Sequence, residues 1–352
     1  MKGIGIIGCG KIAQIRHIPE LAEHPGARIV GYYNPTISRA QQMAAQYGGK
    51  VYPEIVDMLA DPEVEAVVIS LANVAHAEVT IQALKAGKDV LCEKPMATTI
   101  QECEEMMEAA EEYGKMLLIA QNQRLAGAHV AARKLIADKA IGRVLTFRTT
   151  FGHSGPENWS IKPGKDTWFF DKDKAALGVM ADLGIHKADL IQYLLGKNIA
   201  GVSAFLQTLD KTGPDDKPIA VEDNAICLLY MVGGAIGTLT ASWTYYGQED
   251  NSTIIYGTKG ILRIYDDPKC PLKLIHKDGT EEAIEAEAIQ TNDNQTRSGI
   301  ADAFITALET RDPGPLSAES VLPAMRAVFA AKKSIDEERY VYIPKNRKGM
   351  NG

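Results

Sequence analysis

The chain is poor in several features that would each fix a class of protein. No apolar run approaches the roughly 20 residues that a bilayer-spanning helix needs, so no membrane partner is expected. Cysteine is sparse. Five residues (Cys9, Cys92, Cys103, Cys227, Cys270) are scattered through 352 with no short repeated spacing. That excludes a disulfide framework and a cysteine-built zinc site, and it points to free thiols in a reducing, cytoplasmic compartment. Positive charge is not in excess: 38 Lys+Arg stand against 45 Asp+Glu, a net charge of −7, which argues against a nucleic-acid partner. Internal repeats, linker tracts and low-complexity runs are missing. A secretory leader is not expected either, because Met1-Lys2 leads straight into the apolar run of a strand. What remains is 45% hydrophobic and 24% charged, the composition of a soluble globular protein, with length for two domains.

Residues 1–121 alternate short β-rich runs with amphipathic stretches. Strands are expected at 3–7, 28–33, 66–70, 89–92 and 116–120, and helices at 11–22, 38–47, 75–86 and 100–113. Near-continuous apolar strands between helices imply a parallel, doubly wound α/β sheet covered on both faces. The pattern changes after about residue 122. A helix at 128–140 and a strand ending near Phe151 precede a loop, 152–175, rich in Gly, Pro and aromatics. A loop of that length in a compact domain reads as functional. A helix at 178–195 follows, then successive strands from 201 to 284, so the second half reads as α+β with a mostly antiparallel sheet. The tail after Lys345 is expected to fray.

Gly8-Cys9-Gly10-Lys11-Ile12-Ala13 is G-x-G-x-x-A, placed directly after the first strand and opening a helix. The first glycine permits the tight turn, and the second permits close approach of a pyrophosphate. The small Ala13 lets helix and strand pack, while the helix start offers N–H groups and a positive dipole end. In this βαβ context the pattern predicts dinucleotide binding. An acid at the end of the second strand would favour NAD through the ribose hydroxyls, but Asn34 stands there. An amide does not repel a 2′-phosphate, and Ser38 and Arg39 follow closely, so NAD and NADP both stay open. Glu93-Lys94-Pro95 leaves the fourth strand at the carboxyl edge, where ligands bind in doubly wound sheets. A lysine held there is suited to stabilising an alkoxide. His76, near Asn73 after the third strand, is placed to cap a helix at the same edge.

Asp182 and His186 are four apart in an otherwise apolar helix. That spacing sets both on one face, as either a satisfied core pair or a catalytic pair. No third ligand accompanies them, so no metal is expected. His17, His24, His129 and His276 read as surface or structural residues.

Gly8-x-Gly10-x-x-Ala13, the segment Asn73-Val74-Ala75-His76-Ala77-Glu78, the run from Gly87 to Pro95 ending in Glu93-Lys94-Pro95, and Asp182-x-x-x-His186 occur together in this order. In that combination the sequence resembles the glucose–fructose oxidoreductase and inositol dehydrogenase family, Gfo/Idh/MocA, from residue 2 to about 344. The resemblance implies a Rossmann domain, drawn here at 1–122. It also implies a substrate-binding and oligomerising α/β domain, drawn at 123–345, with an open, mostly antiparallel sheet. The C-terminal helices are allowed to pack back on the first domain. It implies Lys94 and His186 as catalytic residues, His186 being the general acid/base, with Asp182 positioning substrate and histidine. The cofactor set becomes Gly8, Gly10, Lys11, Ile12, Ala13, Asn34, Ser38, Arg39, Leu71, Asn73, His76, Glu93 and Lys94, with NAD slightly favoured over NADP. Arg124, His153, Trp159 and Trp168 are expected around the substrate, because sugars offer C–H faces to aromatics and hydroxyls to polar groups.

The implied activity is hydride transfer between nicotinamide and a secondary hydroxyl or ketone of a sugar, polyol or sugar derivative. The implied assembly is a homodimer or homotetramer through the C-terminal sheet. Two alternatives stand beside it. One is a redox-assisted glycosidase or epimerase that recycles NAD. The other is a dinucleotide-dependent sensor, a class that tends to lack the lysine or the histidine.

Overall fold

The structure, a computed structural model, describes residues 1–291 and 297–344, so the expected frayed tail lies outside the described residues. The chain divides into two compact units. The first begins with six strands: β1 (Lys2–Ile7), β2 (Ala27–Tyr33), β3 (Lys50–Val51), β4 (Ala66–Ile69), β5 (Asp89–Cys92) and β6 (Leu117–Ile119). They form one parallel sheet in the order β3-β2-β1-β4-β5-β6. Strand order reverses at β1 and β4, which makes their carboxyl ends the switch point where such sheets bind ligands. The helices between them are α1 (Ile18–Glu23), α2 (Ile37–Tyr47), α3 (Ile55–Ala60), α4 (His76–Lys85) and α5 (Ile100–Glu112). The short β3 and α3 were not expected, being too brief for periodicity to mark them. A regular helix was expected over 11–22. Instead a π-turn, Ala13–His17, runs into α1. Pro19 has no N–H for the carbonyl four residues back, and the helix widens where that bond is missing.

The chain then enters the second unit with α6 (Gly127–Ala137) and β7 (Val144–Gly152). Residues Pro156–Ala176, including the short α7 (Lys172–Ala175), belong to the first unit, as do Gln290–Leu322. A single cut between 122 and 123 would assign both segments to the second domain. Their attachment is physical. Asn73 Nδ2 donates to Ala175 O at 3.0 Å. Glu20 accepts from both the backbone N and the Oγ of Ser298 at 2.7 Å. Arg311 grips the Asp89 carboxylate with two N–H groups, at 2.6 and 3.1 Å. The helix α9 (Ile300–Thr310) sinks Ile300, Phe304, Ile305 and Leu308 into one cluster with Ile4, Ile6, Val68, Leu91 and Leu118. Burying such side chains contributes about 1.5–3 kcal/mol each.

In the second unit a π-turn, Met180–Gly184, precedes α8 (Ile185–Leu195). The strands β8 (Ile199–Gln207), β9 (Asn224–Met231), β10 (Ile236–Ser242), β11 (Thr253–Gly257), β12 (Gly260–Asp267), β13 (Cys270–His276) and β14 (Glu281–Ile284) follow. After α9 come α10 (Ala318–Asp336), with Pro323 inside it, and β15 (Val341–Tyr342). The sheet order is β14-β13-β12-β11-β7-β10-β9-β8-β15, antiparallel throughout except for the β7–β10 pair. Along β9, Ala225, Cys227, Leu229 and Met231 point inward, while Ile226, Leu228 and Tyr230 are exposed. With Phe205 and Ile236 also exposed, the outer face carries apolar side chains where a solvated sheet would carry polar ones.

Candidate active site

The glycine loop meets the demands of a dinucleotide. Gly8 has φ +100°, and a Cβ there would lie 2.3 Å from Ser70 O and 3.0 Å from Leu71 Cδ2, so only glycine fits between β1 and the end of β4. At Gly10 the nearest atom to a Cβ is 3.7 Å away, which leaves the backbone open to a ligand. Leu71 therefore walls the turn. Asn34 is buried, and its amide is structural: Oδ1 accepts from Cys9 N at 2.9 Å and Nδ2 donates to Thr36 O at 3.0 Å. It ties the loop to the end of β2. Ser38 is exposed and Arg39 half-buried at the start of α2. Burial pushes the Cys9 thiol up to about 12, and the charge of Arg39 opposes that shift. Lys11 and Ile12 are half-buried at the helix start, and Ala13 is fully buried beneath them. The loop and helix start thus fit a dinucleotide.

At the end of β5, Glu93 is buried. Its Oε1 meets His17 Nε2 at 2.7 Å, and its Oε2 accepts from Lys94 N at 3.0 Å. Burial raises the Glu93 pKa, but the His17 hydrogen bond and the charges of His17, Arg16 and Lys94 outweigh it and hold the group at about 2. Glu93 is therefore a fixed anion that orients the backbone of the half-buried Lys94. The sequence did not single out His17 as its partner. His76 does not act as the expected helix cap. Its ring lies between Pro95 O (2.8 Å) and Leu71 O (3.2 Å) and joins two loops of the carboxyl edge. Burial lowers its pKa against those two carbonyls, which favour the protonated ring. Asn73, already tied to Ala175, brings the 156–176 segment to the same edge. On that segment Trp168 stacks on Phe169 at 4.0 Å, and Phe169 lies 5.9 Å from Trp159. Arg124 requires a correction. It is buried, and its Nη1 donates to Pro315 O and to Ser320 Oγ at 2.7 Å, its Nη2 to Ser320 O at 2.9 Å. It fastens the 315–320 segment and is withdrawn from the substrate residues.

In the second unit Asp182 sits within the π-turn and His186 in the first turn of α8, so the pair is not on the regular helix face that the four-residue spacing predicts. Both are nearly buried, 6% and 7% exposed. Trp243 Nε1 donates to Asp182 Oδ2 at 3.1 Å. The Phe151 ring packs 5.8 Å from His186 and 6.0 Å from His153. His153 Nδ1 accepts from Gly155 N at 2.9 Å, which leaves the neutral ring its proton on Nε2. The helix start is held by Glu222. Its Oε1 accepts from Gly178 N (2.9 Å) and Met180 N (3.1 Å), and its carbonyl accepts from Val179 N at 2.9 Å. Sequence reading missed Glu222 and Trp243, whose partners lie 44 and 61 residues away. It also missed Lys187, which is fully buried and donates to Asn251 O at 2.9 Å. Among the described residues no group of three His, Cys, Asp or Glu is placed to hold a metal ion.

Comparison with known proteins shows the family. The profile described as oxidoreductase family, NAD-binding Rossmann fold (Gfo/Idh/MocA) matches residues 2–121, and that of the Gfo/Idh/MocA C-terminal domain matches 129–263. The chain is similar to levoglucosan dehydrogenase of Pseudarthrobacter phenanthrenivorans, 30% identical over 68% of this chain and 64% of that protein. The chain thus spans somewhat under two thirds of that relative's length. It is also similar to 1,5-anhydro-D-fructose reductase of Ensifer adhaerens, 33% identical over 73% of this chain and 74% of the reductase. A solved levoglucosan dehydrogenase in complex with NADH and levoglucosan shares the fold, with a TM-score of 0.85 at 24% identity over 98% of this chain and 100% of that one.

Proposed function

The chain belongs to the Gfo/Idh/MocA family of NAD-binding oxidoreductases, and from that premise we propose that it transfers a hydride between a nicotinamide dinucleotide and a secondary hydroxyl or ketone of a sugar, polyol or sugar derivative. The observation that carries the reading is that each unit keeps its chemistry-bearing side chains on a braced support. In the first, Glu93 holds the Lys94 backbone beside an open glycine cradle. In the second, Trp243 and Glu222 fix the turn that bears Asp182 and leads to His186. The names of the relatives, a levoglucosan dehydrogenase and an anhydrofructose reductase, support a carbohydrate-like substrate.

When bound, the nicotinamide supplies a hydride acceptor or donor. Gly8, Gly10, Lys11, Ile12 and Ala13 would hold its pyrophosphate, and Leu71, Asn73, His76 and Glu93 would shape the carboxyl edge. His186 takes the hydroxyl proton, a task for which an imidazole has its pKa near working pH. Lys94 stabilises the alkoxide. Asp182, held by Trp243, orients the hydroxyl and the imidazole. His153, Trp159 and Trp168 line the substrate. NAD is the working cofactor, and NADP is tolerated because no carboxylate stands at position 34 to repel a 2′-phosphate, with Ser38 and Arg39 near it. The exposed apolar face of the nine-stranded sheet packs against a second copy, giving a dimer or tetramer. The five unpaired cysteines support a cytoplasmic location.

The test is a panel of sugars and polyols with NAD and NADP, followed by NAD(P)H absorbance, on the wild type, Lys94→Ala and His186→Ala. Each variant should lose on the order of 10²-fold or more in kcat while still binding the dinucleotide. Near-normal turnover in both would overturn the mechanism. NADH binding with no turnover of any compound would favour a sensor.

A further inference from the structure

Lys187 follows His186 in the first turn of α8 and takes no part in the reading above. It is fully buried, and among the described residues its side chain makes one hydrogen bond, to Asn251 O at 2.9 Å. An ammonium carries three donors, so burying one with a single partner is unfavourable. An apolar side chain of similar volume would fill the space without that penalty. Packing alone therefore does not explain a lysine, and what its amine holds becomes the question. Asn251 stands in the segment that joins β10 to β11. The residue before it, Asp250, exchanges both backbone hydrogen bonds with Gly152, at 2.8 and 3.0 Å, and the residue after it, Ser252, accepts from Thr150 N at 2.9 Å. Residues 250–252 thus carry the pairing of β11 with β7 on to the end of β7. That end bears Phe151, whose ring lies 5.8 Å from the His186 ring and 6.0 Å from the His153 ring. Lys187 Nζ is itself 5.8 Å from the centre of Phe151. The contacts close a circuit. It runs from α8 through Lys187 to Asn251, through Asp250 to the end of β7, and through Phe151 back to His186 on α8. The Phe151 contact is apolar and non-directional, whereas the bond to Asn251 O fixes both distance and angle.

We propose that Lys187 is a positioning residue for proton transfer: by holding the Asn251 carbonyl to α8, it sets the end of β7, and with it Phe151, against the His186 imidazole. The inference rests on the hydride-transfer reading and deepens it, naming what aligns the general acid/base. Trp243, just past β10, holds Asp182, and Lys187 gives His186 the matching support from the segment before β11. Alignment matters because a general base works only within hydrogen-bond reach of its proton, and a misplacement of about 1 Å can cost about 10²-fold.

The experiment compares the wild type with Lys187→Met, which keeps the volume and loses the donor, and Lys187→Gln, which keeps a donor on a shorter side chain. Turnover is read from NAD(P)H absorbance on a sugar or polyol that the wild type uses, and the NADH Kd by calorimetry. The ring ¹⁵N resonances of labelled histidine report the imidazoles directly, with His186→Ala marking the His186 signals. Lys187→Met should lower kcat about 10–100-fold and leave the NADH Kd unchanged. It should shift the resonances of His186 and His153, while those of His17 and His76, in the first unit, stay in place. Lys187→Gln should recover part of both effects. It also replaces Lys187→Met if that variant does not fold, with a smaller shift expected in the same signals. A kcat near the wild-type value, or a lower kcat with the His186 resonances unmoved, overturns the assignment. So does a change spread over all seven histidines with loss of NADH affinity, which is general damage to the fold. If the wild type binds NADH and turns over no compound, the hydride-transfer reading fails, and the His186 resonances alone decide whether Lys187 positions that ring.

Discussion

The fully buried Lys187 allows a sharp prediction. Burial pulls its pKa from 10.5 down to about 7, against the opposing charges of Asp250 and Glu249. The unfolded chain keeps that proton up to about pH 10.5, so between pH 7 and 10.5 the unfolded state binds more protons than the folded one. Folding stability therefore rises with pH across this window. Each pKa unit is worth about 1.36 kcal/mol, which sets a ceiling of about 5 kcal/mol for the whole shift. Lys187→Met keeps the volume and removes the titration. It forfeits the bond to Asn251 O, worth about 1 kcal/mol. Urea unfolding of both proteins at pH 7, 8 and 9 isolates the effect, because every other group cancels in the difference. The wild type should gain about 2 kcal/mol on the variant from pH 7 to 9. Two parallel curves, or a wild type that loses ground as pH rises, would refute the assignment of a neutral, desolvated lysine.

Three further outcomes are expected. Gly178→Ala places a Cβ 2.0 Å from Glu222 O, a clash with backbone that should cost about 1–3 kcal/mol in urea unfolding and lower kcat by displacing the turn that carries Asp182; an unchanged protein would remove Glu222 from its bracing role. Arg39→Ala should raise KM for NADP about 10-fold or more, by loss of a charge-assisted bond to phosphate, while KM for NAD moves little; equal effects would place Arg39 elsewhere. Ile226→Lys with Leu228→Lys, on the exposed face of β9, should give monomers in sedimentation velocity where the wild type gives dimers or tetramers; a monomeric wild type would end the interface proposal.

The strands of the first sheet could be read from the sequence because each is a short, near-continuous apolar run with both faces covered, and β5 matches its expected span, 89–92. The glycine loop was equally legible, since backbone shape at Gly8 and close approach at Gly10 demand residue types that a sequence displays. What supports the site was not. Glu222, Trp243 and His17 act on partners 44, 61 and 76 residues away, and a contact between distant segments leaves no periodicity along the chain. The attachment of α9 to the first sheet was similarly hidden, because an amphipathic helix shows that it has a buried face but not which sheet covers it. Arg124 failed for a related reason. An arginine after a sheet edge reads alike whether its fork meets a ligand or the carbonyls of residues 315 and 320.

The two π-turns point to a common logic. Each opens a helix at the candidate site: Ala13–His17 holds Ala13 of the glycine motif and His17, the partner of Glu93, and Met180–Gly184 bears Asp182 and leads to His186. A π-turn takes an extra residue into one turn, so everything before it is rotated by about 100° relative to a continuous α-helix. In the first helix this lets the small residues of the glycine loop face β1 while His17, one turn on, reaches Glu93 at the end of β5. In the second it lets Asp182 meet Trp243 while His186 turns to Phe151. The irregular turn is tolerated because other groups compensate. In the first helix Pro19 has no N–H to leave unbonded, and in the second the Glu222 carboxylate and carbonyl take up the N–H groups of Gly178, Val179 and Met180.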